Sequence, residues 1–296
     1  MSFKSGFVAV VGKPNVGKST LINALLGKKV SIVSPKAQTT RNNIMGILNN
    51  NDYQVVFIDT PGIHKVKNSL DKYMKKSIDT ATKDVDLLLY LLDGSKDFQE
   101  DDIHMLSKYC EANYPVFAVV NKVDLSTYES LYPRLAKLNE IKGLKDIYAI
   151  SSLQGKNLDL LLQGILKNMT DTIKYFPDDE ITDKPVSFTL AEIIREKMLW
   201  MLDEEVPHGV GVMIDSIDDS KKTVIVSATI FCERDGHKNI IIGSKGSMLS
   251  KIGTASRLAM EKVLDKPVYL DLFVKVKPNW RDREGAINGL GYVDIE

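Results

Sequence analysis

The sequence predicts an α/β domain built on a mostly parallel six-stranded sheet, followed by a smaller α+β domain. Three observations carry this expectation. From residue 1 to about 170, apolar strand-like runs alternate with helical stretches. The run Leu87-Leu88-Leu89-Tyr90-Leu91-Leu92 is continuously apolar, as in a strand covered on both faces. Beyond a proline-bounded acidic stretch the order changes to helix, strand, strand, helix, helix, strand.

Taken in order, Phe7 to Val11 has strand composition, and Thr20 to Leu26 reads as a helix closed by Gly27. A polar segment, Val30 to Asn42, follows. Asn43 to Leu48 and Tyr53 to Ile58 flank the turn Asn50-Asn51-Asp52, which makes them an antiparallel edge hairpin. Asp84 to Leu92 and Tyr114 to Val120 are buried-type strands, and Asp146 to Ile150 is a shorter version of them. Helices at about Asn68 to Thr82, Glu100 to Glu111, Thr127 to Glu140 and Asn157 to Met169 separate the strands. Tyr175 to Pro185 carries two prolines and Asp178, Asp179, Glu180 and Asp183, and reads as a linker. After it come a helix from Thr189 to Leu202, strands Val210 to Asp218 and Thr223 to Cys232, two helical pieces around a glycine-rich break, and a strand Val268 to Val276. The expected domains are 1–175 and 188–296, joined by a linker at 176–187, with Tyr292 to Glu296 as a short terminal extension.

Composition narrows the function. With 39 basic and 39 acidic residues the chain is no uniformly basic nucleic-acid binder, although a local patch stays open. Cys110 and Cys232 lie far apart, with neither metal-ligand spacing nor a disulfide framework, so a reducing compartment is expected. No apolar run approaches the roughly eighteen residues of a membrane span, and no signal peptide precedes the first strand, so cytoplasm is the expected location.

The chemistry begins at Gly12-Lys13-Pro14-Asn15-Val16-Gly17-Lys18-Ser19, followed by Thr20. Strand, glycine-rich turn and helix surround it, the context that a phosphate-binding loop requires. Backbone N–H groups and the positive end of a helix wrap a polyphosphate there. Lys18 is placed to reach the β- and γ-phosphates, and Ser19 to offer a hydroxyl to Mg²⁺. Asp59-Thr60-Pro61-Gly62 follows a strand; Asp59 suits a water-mediated contact to Mg²⁺, and Gly62 an N–H to a γ-phosphate. Asn121-Lys122-Val123-Asp124 follows the strand ending at Val120, at the edge where ligands of such sheets collect. A carboxylate at Asp124 accepts from guanine N1 and N2, whereas adenine offers no matching pair. Lys122 lays its stem over the base or braces the phosphate loop, and Asn121 ties neighbouring loops together. Ser151-Ser152-Leu153 is a weaker signal for a backbone N–H closing the base pocket.

In the second domain, Gly243-Ser244-Lys245-Gly246 forms a GxxG element, preceded by an isoleucine run and followed by an amphipathic helix from about Met248 to Val263. Such a loop runs its backbone against nucleotide phosphates. Arg234, Lys238, Lys245, Lys251, Arg257 and Lys262 against Asp235 and Glu261 give this stretch a local net charge of +4. Ile241, Ile242 and Ile252 are either groove or core residues, and Trp280 either stacks on a base or covers the domain's edge.

The set GKPNVGKS, DTPG, NKVD and the serine pair resembles the Ras-like, translation-factor-related GTPases. Within that class Gln38-Thr39-Thr40-Arg41 resembles the first switch of the Era family, whose bacterial members join a GTPase domain to a type II KH domain. The resemblance spans nearly the whole chain. It implies GTP and GDP as ligands with Mg²⁺, Thr40 as the switch threonine with Thr39 as its rival, and Lys18, Thr40, Gly62 and Asn15 as the residues nearest the chemistry. It implies slow hydrolysis, because Ile63 stands where Ras has its water-orienting glutamine, and a potassium ion held partly by Asn15. Ile241, Ile242, Gly243, Ser244, Lys245, Gly246, Lys251, Arg257 and Trp280 become the RNA-facing set. The implied partners are the 3′ end of small-subunit ribosomal RNA and the small subunit itself, in whose maturation the chain would assist as a monomer with peripheral membrane association. A pure GTP-holding module and an ATP-dependent nucleic-acid enzyme are the competing classes, and Asp124 argues against the latter.

Overall fold

The computed structural model describes residues 3–112 and 115–292. The expected strand start at Tyr114 and the end of the terminal extension, 293–296, lie outside them. Two compact units form. The first takes residues up to Val33, Thr40–Lys65 and Met74–Asp183; the second takes Ser34–Thr39, Val66–Tyr73 and the chain from Lys184 onward.

The first unit is a six-stranded sheet with helices on both faces. In chain order it comprises β1 (Lys4–Gly12), α1 (Lys18–Leu26), β2 (Ile44–Asn49), β3 (Tyr53–Asp59), α2 (Ser69–Ala81, from Met74 onward), β4 (Leu87–Asp93), α3 (Glu100–Glu111), β5 (Val116–Asn121), α4 (Tyr128–Asn139), β6 (Leu144–Ala149) and α5 (Leu158–Lys167). The strand order is β2-β3-β1-β4-β5-β6, with β2 antiparallel to β3 and all other pairs parallel. Strand alternation divides the core. Val8, Val10, Leu87, Leu89 and Leu91 pack with Leu21, Ile22, Leu161 and Ile165 on one face. Val11, Leu88, Tyr90 and Leu92 pack with Ile78, Leu106, Cys110 and Leu138 on the other. The continuous Leu87–Leu92 run thus feeds both layers, and all six residues are buried.

One expectation needs correction. β6 is not a buried strand: as the last strand it has one neighbour, and Lys145 and Asp146 face solvent. The acidic stretch expected as a linker is bonded along the sheet edge. Ile47 N–H donates to Ile181 O (3.0 Å), Met45 N–H to Asp183 Oδ1 (2.8 Å), and Gln54 Nε2 to Phe176 O (2.8 Å), while Gln54 Oε1 accepts from Tyr175 N–H (2.7 Å). Backbone groups of the β2 edge that would otherwise seek a partner chain are covered in this way.

The second unit contains α6 (Val186–Met201), β7 (Gly211–Asp218), β8 (Val224–Cys232), α7 (Asp235–Ile242), α8 (Ser247–Leu264), β9 (Val268–Val276) and α9 (Glu284–Gly289). β8 pairs antiparallel with β7 and parallel with β9. Val226, Ala228 and Ile230 meet Leu190, Ile194, Met198, Ile252 and Met260 in one core. α9 lies in a tail that the sequence reading left without structure. No helix among the described residues is long and apolar enough to cross a membrane.

Candidate nucleotide and nucleic-acid sites

The carboxyl ends of β1, β3, β4 and β5 gather Gly12, Asp59, Asp93 and Asn121 along one edge of the sheet, where open α/β sheets bind their ligands. Between β1 and α1 the loop turns through positive φ at Gly12, Asn15 and Gly17. Gly17 must be glycine, since φ is 100° and a Cβ there would sit 2.3 Å from Asn121 Nδ2. That same amide donates to Val16 O at 2.9 Å, so Asn121 clasps the phosphate loop from across the sheet.

Lys18 is buried and donates to the carbonyls of Gly12 and Lys13, both at 3.1 Å. Burial lowers its pKa to about 8, against the opposing pull of Asp59. Ser19 Oγ donates to Asp59 Oδ2 (2.7 Å); Thr40 Oγ1 lies 3.0 Å from Ser19 Oγ and 3.3 Å from the same carboxylate. Burial raises the pKa of Asp59, opposed by the Ser19 bond and the Lys18 charge. Its Oδ1 is buried without a hydrogen-bond partner among the described residues. Three hard oxygen donors converging on one point, with a carboxylate oxygen unpaired, fit Mg²⁺. The two candidate threonines are placed differently. Thr40 joins Ser19 and Asp59, whereas Thr39 Oγ1 bonds Ser34 Oγ (2.8 Å) and Lys36 O (2.6 Å).

Gly62 presses on Pro14: a Cβ would lie 2.8 Å from its Cγ and 2.9 Å from its backbone nitrogen. Ile63 N–H donates to Gly12 O (3.1 Å), tying the segment after β3 to the phosphate loop. Lys13 turns away to pair with Asp102 at 3.1 Å.

After β5, Asp124 Oδ1 is buried with no partner among the described residues, which fits the acceptor expected for guanine donors. Lys122 Nζ spans Asn15 O (2.6 Å) and Asp93 Oδ2 (2.8 Å), which favours the bracing role. Asn121 Oδ1 accepts both N–H and Oγ–H of Ser152, each at 2.9 Å, so the Ser152 N–H is already committed within the pocket wall. Ser151 is held by a bridge to Lys156, and Leu153 is 83% exposed.

In the second unit Gly243, Lys245 and Gly246 all take positive φ (72°, 49° and 79°), forming a tight turn between α7 and α8 with Ser244 and Lys245 exposed. Beside it an open groove of about 450 Å³ runs between α8 and β9, lined by Leu249, Ser250, Gly253, Thr254, Arg257 and Leu272. Lys251 is exposed on the same helix, and Ile242 is half-buried at the end of α7. Two residues of the expected RNA-facing set are core instead. Ile241 has no exposure, being the inward face of α7 against the sheet. Trp280 has none either, and its Nε1 donates to Gly209 O at 2.9 Å, so it packs the tail onto the domain and cannot stack on a base.

Sequence reasoning missed two participants. Asp93 ends β4 and holds Lys122; its position at the end of a buried parallel strand was the available signal. Arg195, buried on α6 within the second unit, donates to the carbonyls of Gln38 and Thr39 while paired with Glu192. Nothing local in the sequence marks it.

The fold and site define a class, a Ras-like P-loop GTPase domain followed by a type II KH domain. The model of the family "50S ribosome-binding GTPase" matches residues 7–122, and that of the KH domain residues 205–281. GTPase Era of Clostridium kluyveri is 48% identical over 290 residues, covering 98% of this chain and 99% of the relative. GTPase Era of Caldanaerobacter subterraneus is 46% identical over 294 residues, covering 99% of each. A variant of Aquifex aeolicus Era bound to GDP and AlF4⁻ superposes with a TM-score of 0.94, at 40% identity over 99% of this chain and 100% of that one. Era in complex with MgGDPNP and nucleotides 1506–1542 of 16S ribosomal RNA gives a TM-score of 0.95 with the same identity and coverage. The chain belongs to the Era family, and it is a GTPase that converts GTP and water to GDP and phosphate.

Proposed function

We propose that this GTPase is a molecular switch that grips the 3′ end of small-subunit ribosomal RNA through its KH groove and assists small-subunit maturation. The observation that carries the reading is the convergence of Ser19, Thr40 and Asp59 in the first unit, with Thr40 directly following the Gln38 and Thr39 carbonyls that Arg195 holds in the second. A threonine that is ordered only with a γ-phosphate and its metal would change what Arg195 can hold. The structure of an Era protein with MgGDPNP and a 16S fragment supports both the metal and the RNA.

In this reading Lys18 and the backbone from Gly12 to Thr20 cradle the phosphates, and Asn121, Lys122 and Asp124 select guanine with Ser151, Ser152 and Leu153 closing the pocket. Ser19, Thr40 and Asp59 would hold Mg²⁺, Asp59 through water. A metal held there would neutralise phosphate charge. Gly62 donates to the γ-phosphate. Ile63 cannot orient water, so intrinsic hydrolysis is slow, with potassium held partly by Asn15 as an accelerator. Ile242, Gly243, Ser244, Lys245, Gly246, Lys251 and Arg257 form the RNA grip. The domain division at 1–175, 176–187 and 188–296 belongs to the same proposal, as do a monomeric state, cytoplasmic residence and peripheral membrane association.

The test is salt-dependent binding of a single-stranded 16S 3′-end oligonucleotide. Lys245→Asp is expected to weaken binding more than tenfold and to flatten its salt dependence, leaving single-turnover GTP hydrolysis without RNA unchanged. Undiminished RNA binding by that variant would remove the grip from the proposal.

A further inference from the structure

We propose that Asp93 is a positioning residue for nucleotide binding: its carboxylate pins the Lys122 ammonium against the phosphate loop and so sets the affinity for GDP and GTP. The inference rests on the reading of Asn121 to Asp124 as the base-recognition strip.

Lys122 sits at φ 65°, a left-handed conformation that non-glycine residues adopt sparingly. This backbone turn sends its side chain back across the edge of the sheet, where Nζ donates at once to Asn15 O (2.6 Å) and Asp93 Oδ2 (2.8 Å). A lysine has three rotatable donors on a flexible stem, so a single carbonyl would hold it loosely. Asp93 supplies the charge that fixes it.

The carboxylate is itself immobilised. Its Oδ1 accepts the backbone N–H of Ser95 (3.0 Å) and the Ser95 hydroxyl (2.6 Å), which leaves Oδ2 aimed at the lysine. Lys96 also approaches, at 3.7 Å, but its side chain is 70% exposed against 30% for Lys122. Burial pushes the Asp93 carboxyl up, yet the bonds from Lys122 and Ser95 more than reverse this and hold it below the usual carboxylate range. It is therefore anionic at neutral pH.

The loop that presents Asp93 is tied to the strip it serves. Gly94 N–H donates to Asn121 O at 2.7 Å. The Gly94 carbonyl accepts from Arg134 Nη1 (2.7 Å) and from the Ser126 hydroxyl, and the Lys96 carbonyl accepts from the same Arg134 nitrogen (2.6 Å). Arg134 is buried on α4 and is anchored by Ser130. A continuous array thus runs from α4 through the end of β4 and Lys122 to Asn15, joining the base-recognition strip to the phosphate loop. The array ends on the phosphate loop, which meets GDP and GTP alike, so its loss acts on the binding of both.

The experiment measures GDP and GTP dissociation constants of the full chain carrying Asp93→Ala, Asp93→Asn, Lys122→Ala, and Asp93→Ala with Lys122→Ala, with a melting curve for each. Asp93→Ala is expected to weaken both nucleotides at least tenfold and equally. Asp93→Asn, which keeps an acceptor but loses the charge, should fall between. In the Lys122→Ala background, Asp93→Ala should change affinity less than twofold, because its effect passes through the lysine. Unchanged affinities in both Asp93 variants, or fully additive losses in the double variant, would overturn the inference. Failure of the underlying reading has a different signature: ATP would displace GDP from the parent chain as well as GTP does.

Discussion

Replacing Asp124 with asparagine isolates base recognition from phosphate binding. The Asp124 Oδ1 atom is buried and unpartnered, so the acceptor is preformed and its desolvation already incurred. A guanine base donates N1–H and one N2–H to the carboxylate, and charge-assisted bonds of this kind contribute about 1.5–3 kcal/mol each. The amide keeps one acceptor and turns an N–H2 group toward the other donor. One bond is lost and a donor faces a donor, a change of about 2–4 kcal/mol. At about 1.4 kcal/mol per tenfold, GDP and GTP should bind between about 30-fold and 1,000-fold more weakly. Xanthosine nucleotides offer a C2 carbonyl to the new amide and should gain affinity. Titration of a fluorescent GDP analogue, with guanosine and xanthosine nucleotides as competitors, reads both effects. A loss of guanine affinity below threefold, or no gain for xanthosine, would refute the assignment of Asp124.

Four further outcomes are expected. Lys18 has a pKa near 8 in the folded chain against 10.5 when unperturbed, so the unfolded chain holds more protons between these values; the nucleotide-free protein should gain stability as pH rises through that window, by up to about 3 kcal/mol relative to Lys18→Met in denaturant titrations. GDP affinity, which needs the ammonium charged, should fall over the same window. Trp280→Phe removes the indole bond to the buried Gly209 carbonyl and should cost about 1–3 kcal/mol in chemical denaturation, while RNA affinity of the folded variant stays within twofold of the parent. Hydrolysis should run severalfold faster in potassium than in sodium buffer, with Asn15→Ala abolishing the difference; equal parent rates in the two buffers would remove Asn15 from that role.

The elements were legible where periodicity was unambiguous. Leu87 to Leu92 announced a two-sided strand, and Gly12 to Ser19 announced its loop because spacing, strand and helix agreed. Long-range placement was not legible. Asp146 to Ile150 looked like a buried strand because apolar composition does not reveal which strand closes a sheet. The bonds of the acidic stretch before Pro185 to Asn49, Gln54 and Met45 join residues more than a hundred positions apart, so no local pattern could show them. Trp280 and Ile241 illustrate the same limit from the other side. Each is apolar beside a basic motif, and only packing decides that both face inward. Thr40 was favoured over Thr39 by resemblance alone, and the two hydroxyls are placed apart, Thr40 beside Ser19 and Thr39 on Ser34.

The central claim is that the nucleotide governs the RNA grip. The direct measurement is the affinity of the full chain for a 16S 3′-end oligonucleotide at one fixed salt concentration, loaded in turn with GDP and with a non-hydrolysable GTP analogue, each with Mg²⁺. The account predicts binding at least fivefold tighter with the analogue, within the range of ordinary allosteric couplings, and a difference that shrinks in Arg195→Met. Equal affinities in the two nucleotide states would contradict it.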